Sequence, residues 1–204
     1  MIAIAILLLA ASAPRQEPTA ADPTSVATDA AKIYEAFLDA WTGKEHHPIN
    51  VSKSTESPTP QDIQDYTKCV KEDGSAHVIW AKDIPIAELS DTIGHLPYVH
   101  LVDPKKWRPN DPGDLISKGQ PVDAAVDAGF SAGLLTFSAV IFDDAHKTAA
   151  FTYSFVCGRL CGNGGALIFN KTSKGWVQSK HSCGSWISQH RPDSHSSGRG
   201  TRAA

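Results

Sequence analysis

The first regular pattern along the chain is helical. Apolar residues recur at the spacing of one helix face, at Ile33, Tyr34, Phe37, Leu38 and Trp41. Asp29 can cap the start of this helix, and Gly43 suits its C-terminal end. The pattern therefore predicts an N-terminal amphipathic helix between these two residues.

Alternation of apolar and polar residues in the C-terminal third predicts β-strands. In residues 134–142 and 149–157, the residues expected on the apolar faces are Leu135, Phe137, Ala139, Ile141, Phe151, Tyr153 and Phe155. A polar turn at 143–146 separates these two strands. Further strands are predicted at 166–170, 176–180 and 185–188, with a hairpin turn at 171–175. Because the strands follow one another closely, the sheet should be an antiparallel meander.

Prolines divide the middle of the chain, residues 44–125, into short pieces. Within it the sequence predicts strands at 76–80 and 98–102 and a short helical segment at 86–93. The predicted fold class is therefore α+β, with the N-terminal amphipathic helix packed on an antiparallel C-terminal β-meander. Residues 29–188 form the single predicted domain.

The two ends of the chain have the composition of processed and unstructured segments. Residues 1–13 are an apolar run with small residues at its end, too short to span a bilayer, and they predict a secretory signal peptide. Residues 14–28 are rich in Pro, Ala and Thr and predict a disordered spacer. Residues 189–204 are almost free of apolar side chains and predict a disordered tail. We expect an exported protein, secreted or periplasmic, with no integral membrane segment after signal cleavage.

Charge and composition exclude some classes of partner. The 204 residues carry a formal net charge of −3, with 41% hydrophobic and 20% charged residues. This chain has no broad basic field, so nucleic acid is not an expected partner. Composition alone identifies no other partner.

Four cysteines, Cys69, Cys157, Cys161 and Cys183, make an even number, and an exported protein is expected to pair them as disulfides. Spacing alone leaves three connectivities open. We favour Cys157–Cys161 with Cys69–Cys183, in which the second bond closes a loop of over a hundred residues. By the loop-length relation this longer loop stabilises the fold by about 4–5 kcal/mol, against about 2 kcal/mol for the short one.

The stretch CGRLCGNGG, residues 157–165, contains the densest motif and allows four interpretations. The predicted strand directions place Cys157, Cys161 and Cys183 at one rim of the sheet beside His181. Zinc could use such a Cys3His set, although the usual CxxC knuckle is absent. A redox dithiol normally uses CxxC at a helix start. A phosphate-binding loop would need a following helix. The favoured interpretation is a wide turn that glycines make possible and a disulfide braces.

The same region resembles a group of uncharacterised bacterial secreted proteins and lipoproteins with a C-terminal CGxLCGxG…GxW…WIS motif. The matching residues are Ser138, Cys157, Gly158, Leu160, Cys161, Gly162, Gly164, Gly175, Trp176, Trp186 and Ser188. This resemblance implies export and a shared fold. It implies no activity and no functional residue.

The sequence thus predicts a disulfide-braced, non-enzymatic envelope or secreted protein, with a binding module at the glycine-rich rim as one form of this role. No catalytic, cofactor-binding or metal-binding residue is assigned, and no cofactor is expected. The alternative is a small thiol- or metal-dependent enzyme that works at the rim of Cys157, Cys161, His181 and Cys183.

Overall fold

The computed structural model describes residues 23–74, 78–81, 88–159, 161–180 and 183–187. In chain order the elements are α1 (Pro23–Thr42), β1 (Ile49–Ser52), α2 (Pro60–Glu72), β2 (Val99–Val102), α3 (Pro112–Ser117), α4 (Val122–Ser131), β3 (Leu134–Phe137), β4 (Ile141–Phe142), β5 (Thr148–Gly158), β6 (Cys161–Thr172), β7 (Gly175–Gln178) and β8 (Cys183–Ile187). The predicted signal peptide, the tail and most of the spacer lie outside the described residues.

The strands of the described residues form one mixed sheet in the order β2-β1-β3-β5-β6-β7, with β4 beside β5 and β8 beside β6. The α+β class is confirmed. The sheet is not an antiparallel meander throughout, because β1 runs parallel to both β2 and β3. Parallel neighbours need a crossover connection, and helical segments lie in the chain between these strands. From β3 onward the described pairs are antiparallel.

Helix α1 begins before the predicted cap. Pro23 starts it, six residues ahead of Asp29, so residues 23–28 belong to the helix and not to the predicted spacer. The helix ends at Thr42, and Gly43 follows with φ +65°, a conformation that glycine adopts without strain. Four apolar residues of its predicted face are buried: Ile33, Tyr34, Phe37 and Leu38.

The prolines of the middle region start helices as well as interrupting them. Pro60 opens α2 after the capping box of Thr59 and Asp62, and Pro112 opens α3 after the N-cap Asp111. Proline lacks the backbone N–H that has no helical partner in the first turn, so it fits there. The sequence predicted no helix at α2, α3 or α4. The strand predicted at 98–102 is present as β2. The described part of the strand predicted at 76–80 has only an isolated bridge between Trp80 and Asp143, and the described part of the helical segment predicted at 86–93 consists of a bridge residue, a bend and turns, so neither element is seen there. Residues 75–77 and 82–87 lie outside the described residues.

Two buried clusters lie on opposite faces of the sheet. Successive residues of β5 belong to different clusters. Ala149 and Phe151 belong to the cluster that includes α1, and Ala150 belongs to the cluster that includes α2. Successive side chains of a strand point to opposite faces. The ring of Phe37 contacts those of Phe137, Phe151 and Tyr153 on the α1 face. Among the described residues, no helix is long and apolar enough to cross a membrane.

Candidate functional site

The turn between β5 and β6 is short and closed by the disulfide of Cys157 and Cys161, whose Cα atoms are 5.0 Å apart. The backbone N–H of Arg159 donates to Asp111 Oδ2 at 2.6 Å, and its Nη2 donates to Asp114 Oδ1 at 2.6 Å. Asp111 also caps α3. The N–H of Arg159 is the main cause that lowers the pKa of Asp111. Helix α3 therefore supports this turn from outside the sheet.

Cys183 does not lie at this turn. It is bonded to Cys69 of α2, and on the sheet it pairs with Ala166 of β6. Ala166 is five residues from Cys161 along the strand, a distance of about 17 Å. The prediction that three cysteines meet at one rim is therefore wrong, because β8 pairs with the first half of β6 and its register places Cys183 beside α2. His181 lies outside the described residues.

This geometry changes the four interpretations of the CGRLCGNGG stretch. All four cysteines are in disulfides, in the pairing that we favoured from the sequence. The Cys3His zinc set thus has no free thiolate, and Cys183 lies apart from Cys157 and Cys161. Two disulfides are typical of proteins that fold in an oxidising compartment. A phosphate loop is ruled out for the glycines, because they lie inside β6 with a strand and not a helix after them.

The glycines of β6 make room for side chains of β8 and not for a wide turn. A Cβ atom at Gly164 would collide with the indole of Trp186 and with the carbonyl oxygen of Tyr153, and one at Gly162 would contact this indole. Trp186 pairs directly with Gly164 across the two strands. Its ring therefore packs on bare backbone, on the face of the sheet that includes α2. The strand begins at Cys161, five residues before the predicted start at Ala166.

Asn163, between these glycines, points to the other face. It pairs with Phe155 of β5 on one side and with Ile187 of β8 on the other. Its Oδ1 atom is buried and has no hydrogen-bond partner in the described part of the chain. A buried acceptor without a partner is unfavourable by roughly 1–3 kcal/mol. Such atoms are rare in native proteins, and one reason for them is a missing water, ion or ligand.

Aromatic and apolar side chains surround this carboxamide. Tyr153 lies opposite Gly165, so it is the diagonal neighbour of Asn163 at about 7–8 Å between Cα atoms. The ring of Trp41, near the end of α1, contacts those of Tyr153 and Phe155, with centroids 5.4 and 5.6 Å apart. Burial raises the pKa of the half-buried Tyr153. We call Trp41, Tyr153, Phe155, Asn163 and Ile187 the Asn163 patch.

The Asn163 patch is partly open to solvent. Ile187 is 74% exposed, and Phe130, whose ring stacks on Phe155, is 56% exposed. Trp41, Tyr153 and Asn163 are partly buried. The hydroxyl of Tyr153 makes no hydrogen bond with any other residue that the structure describes. The patch therefore combines partly exposed apolar side chains with two neutral polar groups.

A second polar cluster is buried at Ser138, between β3 and β4. Tyr34 of α1 donates to the carbonyl oxygen of Ser138 at 2.8 Å, and the Tyr66 hydroxyl of α2 is 3.1 Å from Ser138 Oγ and 2.7 Å from Thr152 Oγ1. Burial raises the pKa of Tyr66 to about 12. Because both tyrosines are almost fully buried, this network connects the two helices to the sheet and offers no access to a substrate.

Asp29 is the centre of a third cluster. Its Oδ2 atom accepts hydrogen bonds from Lys171 Nζ at 2.7 Å and is 2.9 Å from His146 Nε2. Burial alone would raise the pKa of Asp29, but the hydrogen bonds from Lys171 and His146 outweigh it and lower the pKa below 3.8. Lys171 also lies 5.2 Å from the ring centre of Trp176. This cluster joins α1 to the β4–β5 turn and to β6.

From the sequence, the cysteines and glycines of the CGRLCGNGG stretch are its candidate residues, and Asn163 is placed in a turn; the structure instead places Asn163 inside β6. A signal was present: from Cys161 to Phe169 alternate residues are Cys, Asn, Gly, Leu and Phe, so one amide falls on an otherwise apolar face. No group of three metal-binding side chains is present among the described residues.

Comparisons with known proteins add no family or fold assignment. No protein-family model, curated protein or solved structure matches the chain. The resemblance to bacterial exported proteins therefore stays a prediction, and functional inference depends on the geometry alone.

Proposed function

We propose that the protein is an exported, disulfide-braced, non-enzymatic binding module, and that the Asn163 patch is its ligand-binding surface. The buried, unpartnered Oδ1 atom of Asn163 carries this proposal. No described residue forms a hydrogen bond to this oxygen, although a leucine of similar size would fit an apolar strand face without the desolvation penalty. A ligand that donates a hydrogen bond would account for a polar residue here.

Two further observations support a binding role over catalysis. The cysteines that the enzyme hypothesis required are bonded to each other, and Cys183 lies far from Cys157 and Cys161. The buried hydroxyl network at Ser138 and the cluster at Asp29 both connect elements of the fold. Turnover of any substrate that disappears on Cys157→Ser and Cys161→Ser substitution would contradict the non-enzymatic role.

We also propose export through residues 1–13 and kinship with the bacterial proteins that share the CGxLCGxG…GxW…WIS motif. The role of the motif residues supports this: Cys157 and Cys161 close the turn, and Gly162 and Gly164 lie under Trp186. Intact mass of the protein recovered outside the cytoplasm tests export. We expect a chain without the signal peptide that alkylates only after reduction; an uncleaved chain or free thiols would contradict it.

The central experiment replaces Asn163 with leucine and measures urea unfolding. We expect Asn163→Leu to raise the unfolding free energy by about 1–2 kcal/mol, because it removes an unpaired polar atom. Function-related residues commonly reduce stability in this way.

Two matched control variants separate the effect of the unpaired oxygen from the effects of lost hydrogen bonds and of strand propensity. Asn50 donates hydrogen bonds to the carbonyl oxygens of Ser131 and Gly133, so Asn50→Leu should lower stability by about 1–3 kcal/mol. Asn170→Leu, later on β6, measures the gain from strand propensity alone. If Asn163→Leu destabilises the protein as Asn50→Leu does, Asn163 has a structural role and the proposal fails.

A further inference from the structure

The loop after β2 presents a local group of positive charges. Residues 103–108 follow β2, the first strand in the sheet order. Three exposed cations of this loop form what we call the Lys105 patch: Lys105, Lys106 and Arg108. None of the three makes an ion pair with an acidic side chain that the structure describes, whereas Lys171 and Arg159 do. Because the whole chain has a formal net charge of −3, three unpaired cations together are a marked local departure from its average charge.

Hydrogen bonds within the loop fix the place of these cations. Asp103 Oδ1 accepts from the backbone N–H of Lys105 at 3.0 Å. The carbonyl oxygen of Asp103 accepts from the N–H groups of Lys106 and Trp107, at 3.0 and 3.1 Å. Nη1 of Arg108 donates back to the carbonyl oxygens of Lys105 and Trp107, at 3.1 and 2.6 Å. The three cations therefore leave from one closed turn.

Asp103 lies in the positive field of the loop. Its Oδ2 atom is 3.7 Å from Nζ of Lys53, which follows β1. The N–H of Lys105 is the main cause that lowers the pKa of Asp103. The charges of Lys53, Lys106 and Lys105 lower it further. Asp103 thus balances Lys53, and the three charges of the Lys105 patch remain without a close acidic partner.

The hydrogen bonds of the loop favour an extended anionic surface over a single small anion. Backbone sites for small anions use free N–H groups that converge on the ion. Here Asp103 already occupies the N–H groups of Lys105, Lys106 and Trp107. Only separate side-chain charges are left, and these are attracted to a surface that carries many anions.

Trp107 holds the loop against the domain. It is partly buried, and its Nε1 atom donates to the carbonyl oxygen of Ala132 at 2.8 Å. Its ring is therefore part of the support of the loop. Contact of the loop with a membrane would be made by charges and would not require a side chain to enter the hydrocarbon.

We infer that the Lys105 patch docks the protein peripherally on a bilayer that contains anionic phospholipid. Each Lys or Arg near such a surface strengthens binding about fivefold, so three give roughly a hundredfold. This value suits reversible binding. The inference does not rest on the Asn163 patch, and the proposed export would bring the chain to an envelope membrane.

The test is sedimentation of the mature protein with vesicles of phosphatidylcholine alone, or mixed equally with phosphatidylglycerol. It is done at ionic strengths of about 0.01 M and 1 M, where the Debye lengths are about 30 Å and 3 Å. We expect binding only to the vesicles with phosphatidylglycerol, and only at the lower ionic strength. Equal binding to the two kinds of vesicle, or binding to neither, would overturn the inference.

Two double variants connect binding to the patch. At about 0.1 M ionic strength, where the Debye length is about 10 Å, Lys105→Gln with Lys106→Gln should weaken binding roughly 25-fold. The melting temperature should not change, because neither side chain has a described hydrogen bond. Lys68→Gln with Lys71→Gln on α2 is the matched control. It removes the same net charge beside Glu72, and should weaken binding less than about twofold. Equal weakening by the two pairs would contradict a role of the patch.

Heparin, a soluble sulfated polyanion, tests the source of the negative charge. We expect the anionic vesicles to bind the wild type more strongly than they bind the Lys105 and Lys106 double variant in the same buffer. If the wild type binds heparin but not these vesicles, the patch recognises a soluble polyanion and the assignment to a membrane surface is wrong.

Discussion

Asn163 and Gly164 are adjacent on β6 and face opposite sides of the sheet. Gly164 is fixed by its neighbour, because Trp186 occupies the space of a Cβ atom. No neighbour among the described residues forms a hydrogen bond to the buried oxygen of Asn163. Where close packing accounts for the residue type, as at Gly164, the residue stabilises the fold. Where neither packing nor hydrogen bonding accounts for it, as at Asn163, the residue is the better candidate for function.

Asp29 shows how a single carboxylate can connect three elements. It was predicted to cap α1, yet it lies inside the helix, is 7% exposed, and accepts hydrogen bonds from Lys171 and His146. Because its pKa is lowered in the folded state, its contribution to stability is present above pH 3.8. It is lost as the pH falls through the folded-state pKa, which lies below 3.8.

We therefore predict that Asp29→Asn lowers the unfolding free energy at pH 7 by about 1–2 kcal/mol, a modest value because Lys171 is partly exposed. The difference from the wild type should shrink as the pH falls below about 3.8. Urea unfolding between pH 2 and 7 measures both, with exposed Asp144→Asn as the control. A difference that does not change with pH would contradict the role of the charge.

At the scale of elements, β6 is the strand that joins β7 and β8 to the rest of the sheet. At twelve residues it is the longest, and it pairs with β5 along one edge and with β7 and β8 end to end along the other. One strand can hold two partners on one edge only if it is long enough. Its glycines let β8 approach closely and bring Ile187 beside Asn163.

Gly164→Ala should disturb this approach. The added methyl group would collide with the Trp186 indole and with the Tyr153 carbonyl oxygen, so we expect a loss of about 1–3 kcal/mol in unfolding free energy; displacement of the indole should also change the tryptophan fluorescence. Gly165→Ala is the matched control, because its nearest neighbour would be the Ser185 Cα at 3.3 Å, and its loss should be smaller. Equal effects of the two variants would argue against a specific role of Trp186.

At the scale of the whole molecule, the two disulfides act over different lengths. The bond between Cys69 and Cys183 spans 114 residues, links β8 to α2, and lies at the buried cluster on the α2 face of the sheet. The bond between Cys157 and Cys161 spans four residues and closes one turn. Disulfides stabilise a fold mainly by restricting the unfolded chain, so the Cys69–Cys183 bond should contribute more to the unfolding free energy than the Cys157–Cys161 bond.

Replacing Cys69 and Cys183 with alanine should therefore lower the unfolding free energy by about 4–5 kcal/mol, against about 2 kcal/mol for the Cys157 and Cys161 pair. Urea unfolding of both double variants under non-reducing conditions measures the difference. If the short-loop pair has the larger effect, the turn contributes native-state packing that loop entropy does not describe.

The amino-acid sequence alone was sufficient for the features that depend on local patterns. The face of α1 from Ile33 to Leu38 and the run of strands after residue 134 follow from periodicity and turn residues, although the structure divides 134–142 into β3 and β4 and starts β6 at Cys161. Loop length favoured the disulfide pairing that the structure has, whereas spacing alone left three connectivities open. Helices α2 and α3 were missed because proline was taken only as a breaker, although Pro60 and Pro112 occupy first-turn positions.

Only the tertiary structure decided the features that depend on distant partners. Three of these features join residues that are far apart in the chain or separated by irregular segments. They are the parallel placement of β1, the register that puts Cys183 opposite Ala166, and the packing of Trp186 on Gly164. The unpaired state of Asn163 belongs to the same class. A residue type states which hydrogen bonds a side chain can form, but only the folded neighbours determine which of them are left unmade.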